Sequence, residues 1–101
     1  SKGQQQRVAL GKALIRNPDI LILDEPFSNS DAPTRQEFNE LIKLLQRKYN
    51  WTVIFVTHDT NDALYLGDVI NVINEGKLEV STSPKDFIKS NNEIVRSLLG
   101  N

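Results

Sequence analysis

The chain contains no cysteine. That excludes a disulfide framework and a thiolate metal site, and it fits a reducing compartment. No apolar run approaches the ~20 residues that a membrane helix requires, and no signal peptide is visible. Basic charge is not in excess, because 12 Lys and Arg against 13 Asp and Glu leave a net charge of −1. A nucleic-acid footprint needs concentrated basic surface, so nucleic acid is not an expected partner. Internal repeats, low-complexity runs and linkers are also lacking. The chain opens on Ser1 rather than Met, which suggests a lost amino-terminal segment. What remains is 101 residues, 39% hydrophobic and 25% charged, the size and composition of one small domain or part of a larger one.

The chain is organised around Ile20-Leu21-Ile22-Leu23-Asp24-Glu25-Pro26. Four consecutive apolar residues read as a strand covered on both faces, as in the middle of a parallel sheet. Pro26 has no N–H for a ladder and ends it. Thr52 to Thr57 reads as a second strand, delivering His58-Asp59 at its end as the first delivers Asp24-Glu25. Open α/β sheets bind ligands at that carboxyl edge.

Around these strands the pattern predicts helices. Ser1 to Arg16 has capping-box spacing at Ser1 and Gln4 and an apolar face including Val8, Leu10, Leu14 and Ile15. Pro33 and Thr34 open a helix through about Tyr49, with Phe38, Leu41, Ile42, Leu45 and Tyr49 at helical spacing as core. Thr60 to Leu66 is a short helix capped by Gly67. Val69 to Ile73 and Leu78 to Ser81 flank Asn74-Glu75-Gly76-Lys77, a hairpin signal. Ser83-Pro84 starts another helix, and Asn92 to Leu99 is the last, ended by Gly100. The predicted order is α-β-α-β-α-β-β-α-α, a parallel sheet finished by an antiparallel hairpin.

Asp24 and Glu25 are neighbours at a strand end and can enter one pocket from different angles. One carboxylate suits a Mg²⁺ that keeps most of its waters, and the other suits activation of a water beside a γ-phosphate. The alternative is a solvated acidic strand end. His58, the single histidine, stands where it can donate to a phosphate oxygen. The alternative there is a structural histidine satisfied by a carbonyl. Ser1-Lys2-Gly3-Gln4 can meet an anion at a helix amino terminus, or can simply cap the helix.

Taken in order, these pieces resemble the second half of an ABC-transporter ATPase domain. Ser1-Lys2-Gly3-Gln4-Gln5-Gln6-Arg7-Val8-Ala9-Leu10 is similar to the family signature and its continuation, and Ile20 to Pro26 to the Walker B strand. Phe27-Ser28-Asn29-Ser30-Asp31 is similar to the D-loop, and Thr57-His58-Asp59 to the switch histidine. The resemblance implies an α/β fold: the carboxy-terminal part of a P-loop NTPase domain, a parallel sheet flanked by helices plus a β-hairpin and terminal helices. It implies one partial domain over residues 1–101, with ATP and Mg²⁺ as cofactors. Asp24 takes the metal role, and Glu25 and His58 the catalytic roles. Ser1, Lys2, Gly3 and Gln4 touch an ATP held by a partner, and Asp31 lies at the dimer interface.

It further implies a head-to-tail dimer of ATPase subunits that drives transmembrane permease subunits from the cytoplasmic face of the cell membrane. Lys2 stands where a Gly is common, and Ser30 where a Leu is usual. The Gly-rich phosphate loop of the family is not in the sequence, so the chain alone is expected to be inactive in ATP hydrolysis and to expose an apolar sheet edge and face. Asp62 to Asp68, Ser83 to Phe87 and Val95 to Gly100 are similar to importer ATPases for osmoprotectants such as glycine betaine, carnitine or choline. Two rival readings are a non-enzymatic fragment that only dimerises with intact ATPase subunits and a non-transport ABC ATPase. The near-neutral charge and the importer-like tail weigh against the second rival.

Overall fold

The computed structural model describes residues 8, 11–12, 15–16, 19–26 and 31–100. Its elements are β1 (Ile20–Asp24), α1 (Ala32–Tyr49), β2 (Thr52–Val56), α2 (Thr60–Leu66), β3 (Ile70–Asn74), β4 (Lys77–Thr82), α3 (Pro84–Lys89) and α4 (Glu93–Leu98). Val8, Gly11, Lys12, Ile15 and Arg16 are helical, in line with the predicted first helix. The cap and signature residues of that helix, Ser1 to Gln4, lie outside the described residues. The chain falls into two compact units, residues 1–58 and 59–101.

In the first unit β1 and β2 pair in parallel, with Ile22 opposite Ile54 and Asp24 opposite Val56. β2 is built from Thr-Val-Ile-Phe-Val, residues that fit a pleated, half-buried surface. The expectation that β1 is covered on both faces is not met. Ile20 and Ile22 on β1, and Ile54 and Val56 on β2, are about half exposed or more. The alternate residues Leu21, Leu23, Val53 and Phe55 are only partly exposed. The side-chain period of two and the shared register put the four exposed residues on one face, and among the described residues that face has no cover. An exposed apolar sheet face, as expected from the sequence, is present among the described residues.

α1 begins at Asp31, whose side chain accepts from the Thr34 N–H at 2.8 Å. Hydrogen bonding to Thr34 holds the Asp31 carboxyl below its usual value near 3.8, through the Thr34 side chain first and its backbone second. Phe38, Ile42 and Leu45 form the buried stripe. Leu41 is half-buried and Tyr49 is exposed, so neither is the core residue that spacing alone suggests. Arg47 and Lys48 in the last turn suit the negative end of the helix dipole. Asn50 adopts a left-handed cap with φ 54°, and its N–H donates to the Gln46 carbonyl. Trp51, buried, then stacks on Tyr49 with ring centroids 5.6 Å apart.

The second unit closes a core of its own. Ile70, Val72, Phe87 and Val95 are buried together, with Leu64, Val80, Ile94 and Leu99 packed against them. β3 and β4 are joined by Glu75 and Gly76, at φ 51° and 75°, the two left-handed residues of a tight hairpin turn. Among the described residues this hairpin forms its own two-stranded sheet and does not finish the parallel one, which corrects the predicted single sheet. Its ladder is closed by a local turn and needs no partner strand to specify its register. Gly67 does cap α2, but at φ −80° rather than left-handed. Glycine is required there by close approach, since a Cβ would sit 2.9 Å from the Ala63 carbonyl oxygen. Ser83 and Asn92 cap α3 and α4 by accepting from the first-turn N–H groups.

Candidate functional site

The carboxyl ends of β1 and β2 lie side by side because the ladder is parallel and in register to its last pair, Asp24 with Val56. One further bond extends it, as the Glu25 N–H donates to the Val56 carbonyl at 2.8 Å. Glu25 then turns left-handed, with φ 47°. The residue before a proline is kept out of the right-handed helical region, and Pro26 follows. A left-handed glutamate costs of order 1–3 kcal/mol and is held only where the surroundings over-determine it. Here the ladder bond on one side and buried Pro26 on the other do so.

The consequence is a contact across the edge. Glu25 Oε2 lies 2.7 Å from His58 Nδ1. A carboxylate only accepts, so the imidazole donates and carries its proton on Nδ1. The His58 side chain is 80% exposed and that of Glu25 36%, so the pair is open to an incoming ligand. Asp24 is exposed at the last ladder position. The structure therefore brings Glu25 and His58 together, 33 residues apart in sequence, and leaves Asp24 beside them. Among the described residues no three His, Cys, Asp or Glu gather into a metal cluster. Mg²⁺ held with a nucleotide needs only one or two protein carboxylates, and an exposed aspartate is a hard oxygen donor of that kind. The donor chemistry fits.

Asp31 caps α1 rather than joining the pair. Ser1, Lys2, Gly3 and Gln4 lie outside the described residues, as do Phe27 to Ser30 of the D-loop-like segment. Sequence reasoning misses two participants. One is the Val56 carbonyl that anchors Glu25, for which no side-chain signal exists. The other is the capping role of Asp59, which sequence reasoning places beside His58 in the switch-histidine-like segment but not as a helix cap. Its side chain accepts from the Asp62 N–H at 3.1 Å and starts α2 immediately after His58. A signal for it exists, because an Asp before a short helical run is a common cap.

Residues 1–28 match the ABC transporter family. The chain is similar to ABC-transporter ATP-binding proteins. It is 48% identical over 87 residues to the sn-glycerol-3-phosphate import ATP-binding protein UgpC of Roseobacter denitrificans, covering 86% of this chain and 24% of that protein. To the xylose/arabinose import ATP-binding protein XacK of Haloferax volcanii it is 41% identical over 101 residues, 99% of this chain and 26% of the relative. To the Fe(3+) ions import ATP-binding protein FbpC of Photorhabdus laumondii it is 42% identical over 101 residues, 99% of this chain and 29% of the relative. The chain thus spans about a quarter of the length of these curated relatives. With these ABC-type matches, the α/β arrangement is consistent with part of a P-loop NTPase domain. The names of these relatives specify glycerol phosphate, pentoses and ferric ions, and lend no support to a quaternary amine.

Proposed function

We propose that the chain is the carboxy-terminal part of the ATP-hydrolysing subunit of an ABC importer, a single partial ATPase domain over residues 1–101. The observation that carries this reading is the Glu25–His58 contact at 2.7 Å on the carboxyl edge of a parallel strand pair, with Asp24 beside it. Bound ATP and Mg²⁺ supply the phosphoryl bond and the neutralising charge. Asp24 holds the metal side of the nucleotide. The Glu25 carboxylate accepts a hydrogen bond from the attacking water and takes its proton. His58 donates to Glu25 through Nδ1, and with a γ-phosphate present it would donate to a phosphate oxygen and so sense its loss. Ser1, Lys2, Gly3 and Gln4 contact the nucleotide of a second, head-to-tail subunit, with Asp31 at that interface.

The partners are that second subunit and transmembrane permease subunits, met at the cytoplasmic face of the membrane. Among the described residues no helix is long and apolar enough to cross a membrane. The cargo is a small solute. The resemblance of the tail supports an osmoprotectant, whereas the relatives' names favour sugars, glycerol phosphate or ferric ion. Solute-stimulated ATPase of the reconstituted transporter, with glycine betaine against a sugar, decides between them.

The test of the motor itself is ATP turnover by the intact subunit with Glu25→Gln. Removal of the base should cost about 10²–10⁴-fold in turnover, with nucleotide binding kept. Turnover that survives the change rejects Glu25 as base and with it the hydrolytic reading of this edge.

A further inference from the structure

The chain bends at Glu25 and turns at the buried Pro26, so an extended Glu25 is excluded. A residue that bends the chain takes either the right-handed or the left-handed helical region. For a glutamate the right-handed one is ordinarily lower in energy, since glycine and, less often, asparagine or aspartate are the routine left-handed visitors. Glu25 nevertheless stands at φ 47°. Among the described residues the other left-handed positions with side chains are Asn50, at the end of α1, and Glu75, in the hairpin turn. Neither motif operates at Glu25, which directly follows the last paired residue of β1. What Glu25 does have is a following proline. The proline Cδ crowds the N–H and Cβ of the residue before it and disfavours the right-handed region there.

The hand of this bend decides where the carboxylate goes. The Glu25 N–H is fixed on the Val56 carbonyl at 2.8 Å, so a change of φ turns Cβ and everything beyond it about a held N–Cα bond. From φ 47° to the right-handed value near −63° is a rotation of about 110°. Such a rotation takes Oε2 away from His58 Nδ1, which lies 2.7 Å from it in the left-handed form. We propose that Pro26 is a positioning residue for the Glu25–His58 pair. It denies Glu25 the right-handed bend and so holds the carboxylate on His58. The effect on turnover rests on the reading of Glu25 as base, whereas the effect on the pair's geometry does not.

His58 is the single histidine, so the full chain made with isotope-labelled histidine gives one ring to follow by nitrogen NMR. The spectrum is taken about two pH units above the ordinary histidine value near 6.5, where the ring is neutral. The unaltered chain should carry the ring proton on Nδ1, as donation to a carboxylate requires. Pro26→Ala should move it to Nε2, the form an unattached imidazole prefers. Pro26→N-methylalanine, made by cell-free translation, keeps a carbon on the nitrogen without the ring. It should leave the proton on Nδ1, because the crowding of Glu25 is retained. A merely structural role of the proline ring would not separate these two variants. In the intact subunit Pro26→Ala should lower kcat about 10- to 100-fold, with the KM for ATP within about twofold.

The proposal is overturned if Pro26→Ala leaves the proton on Nδ1, or if the N-methyl variant folds and still moves it to Nε2. Where Pro26→Ala does not fold by circular dichroism, the N-methyl variant decides alone. An unchanged kcat in a subunit whose turnover Glu25→Gln abolishes also overturns it. Failure of the base itself looks different. Turnover that survives Glu25→Gln removes the base and leaves the NMR results standing. An unmoved ring proton removes Pro26 from the mechanism and leaves the base in place.

Discussion

The two units of this chain solve the same problem differently. Residues 59–100 build a hairpin with a local turn and helices with side-chain caps, and they bury Phe87 and Val95 almost completely. Residues 19–58 build a parallel pair whose register is complete, yet one face of it carries four exposed apolar residues. A hairpin satisfies its own ladder within a few residues. A parallel pair is a slice of a larger layered structure, since parallel sheets are stable when both faces are covered. The candidate site sits in the parallel kind of unit. Its parallel strands end together and therefore present Asp24, Glu25 and His58 at one place, which a hairpin cannot do. The geometry of the candidate site and an exposed apolar face thus come from one topological choice.

That contrast can be broken by substitution. The largest effect is expected for Phe87→Ala, which should lower stability by about 3–5 kcal/mol in urea unfolding. A loss under about 1 kcal/mol would mean that the second unit has no closed core. Next comes Asn92→Ala, which removes an acceptor serving the N–H groups of both Ile94 and Val95. About 1 kcal/mol should be lost, with amide exchange faster at those two residues first.

The sheet face should respond least in stability. Ile22→Thr and Ile54→Thr are each expected within about 0.5 kcal/mol of the original, with less aggregation by light scattering. A cost of several kcal/mol would show that this face is covered, and the contrast between the units would fall.

The smallest effect is on pH dependence. Asp31 has a folded pKa below its unfolded one, so its stabilisation is present above the ordinary aspartate value and is lost as pH falls through the lowered one. Asp31→Asn keeps the cap and should flatten that acid limb. An unchanged acid limb would remove Asp31 from the account of α1.

Much of the site can be read from residue order. Asp24-Glu25 at the end of an apolar run and His58-Asp59 at the end of another point to a shared edge. The caps Ser83 and Asn92 and the Glu75-Gly76 turn are equally legible, because their hydrogen bonds span two or three residues and depend on little else. The burial of β1 is not legible, because a continuous apolar run records what a strand is suited to contact and not what is present to contact it. Tyr49 escapes its pattern for a related reason. Helical spacing puts it in line with Phe38 and Leu45, but the left-handed turn at Asn50 draws it into a stack with Trp51 and leaves its outer side exposed.

Sequence alone determined most of the described elements, the helix starts at Ser83 and Asn92 and the candidate residues Asp24, Glu25 and His58, since each follows from interactions within a few positions. Tertiary structure alone decided three further things: that Glu25 adopts a left-handed turn, that the Val56 carbonyl holds it there, and that His58 lies 2.7 Å away. Those depend on a parallel register between strands about thirty residues apart, and no local pattern encodes that distance. The same holds for the separation of the hairpin from the parallel pair. Which strands join one sheet is settled by long-range pairing, whereas strand propensity is settled residue by residue.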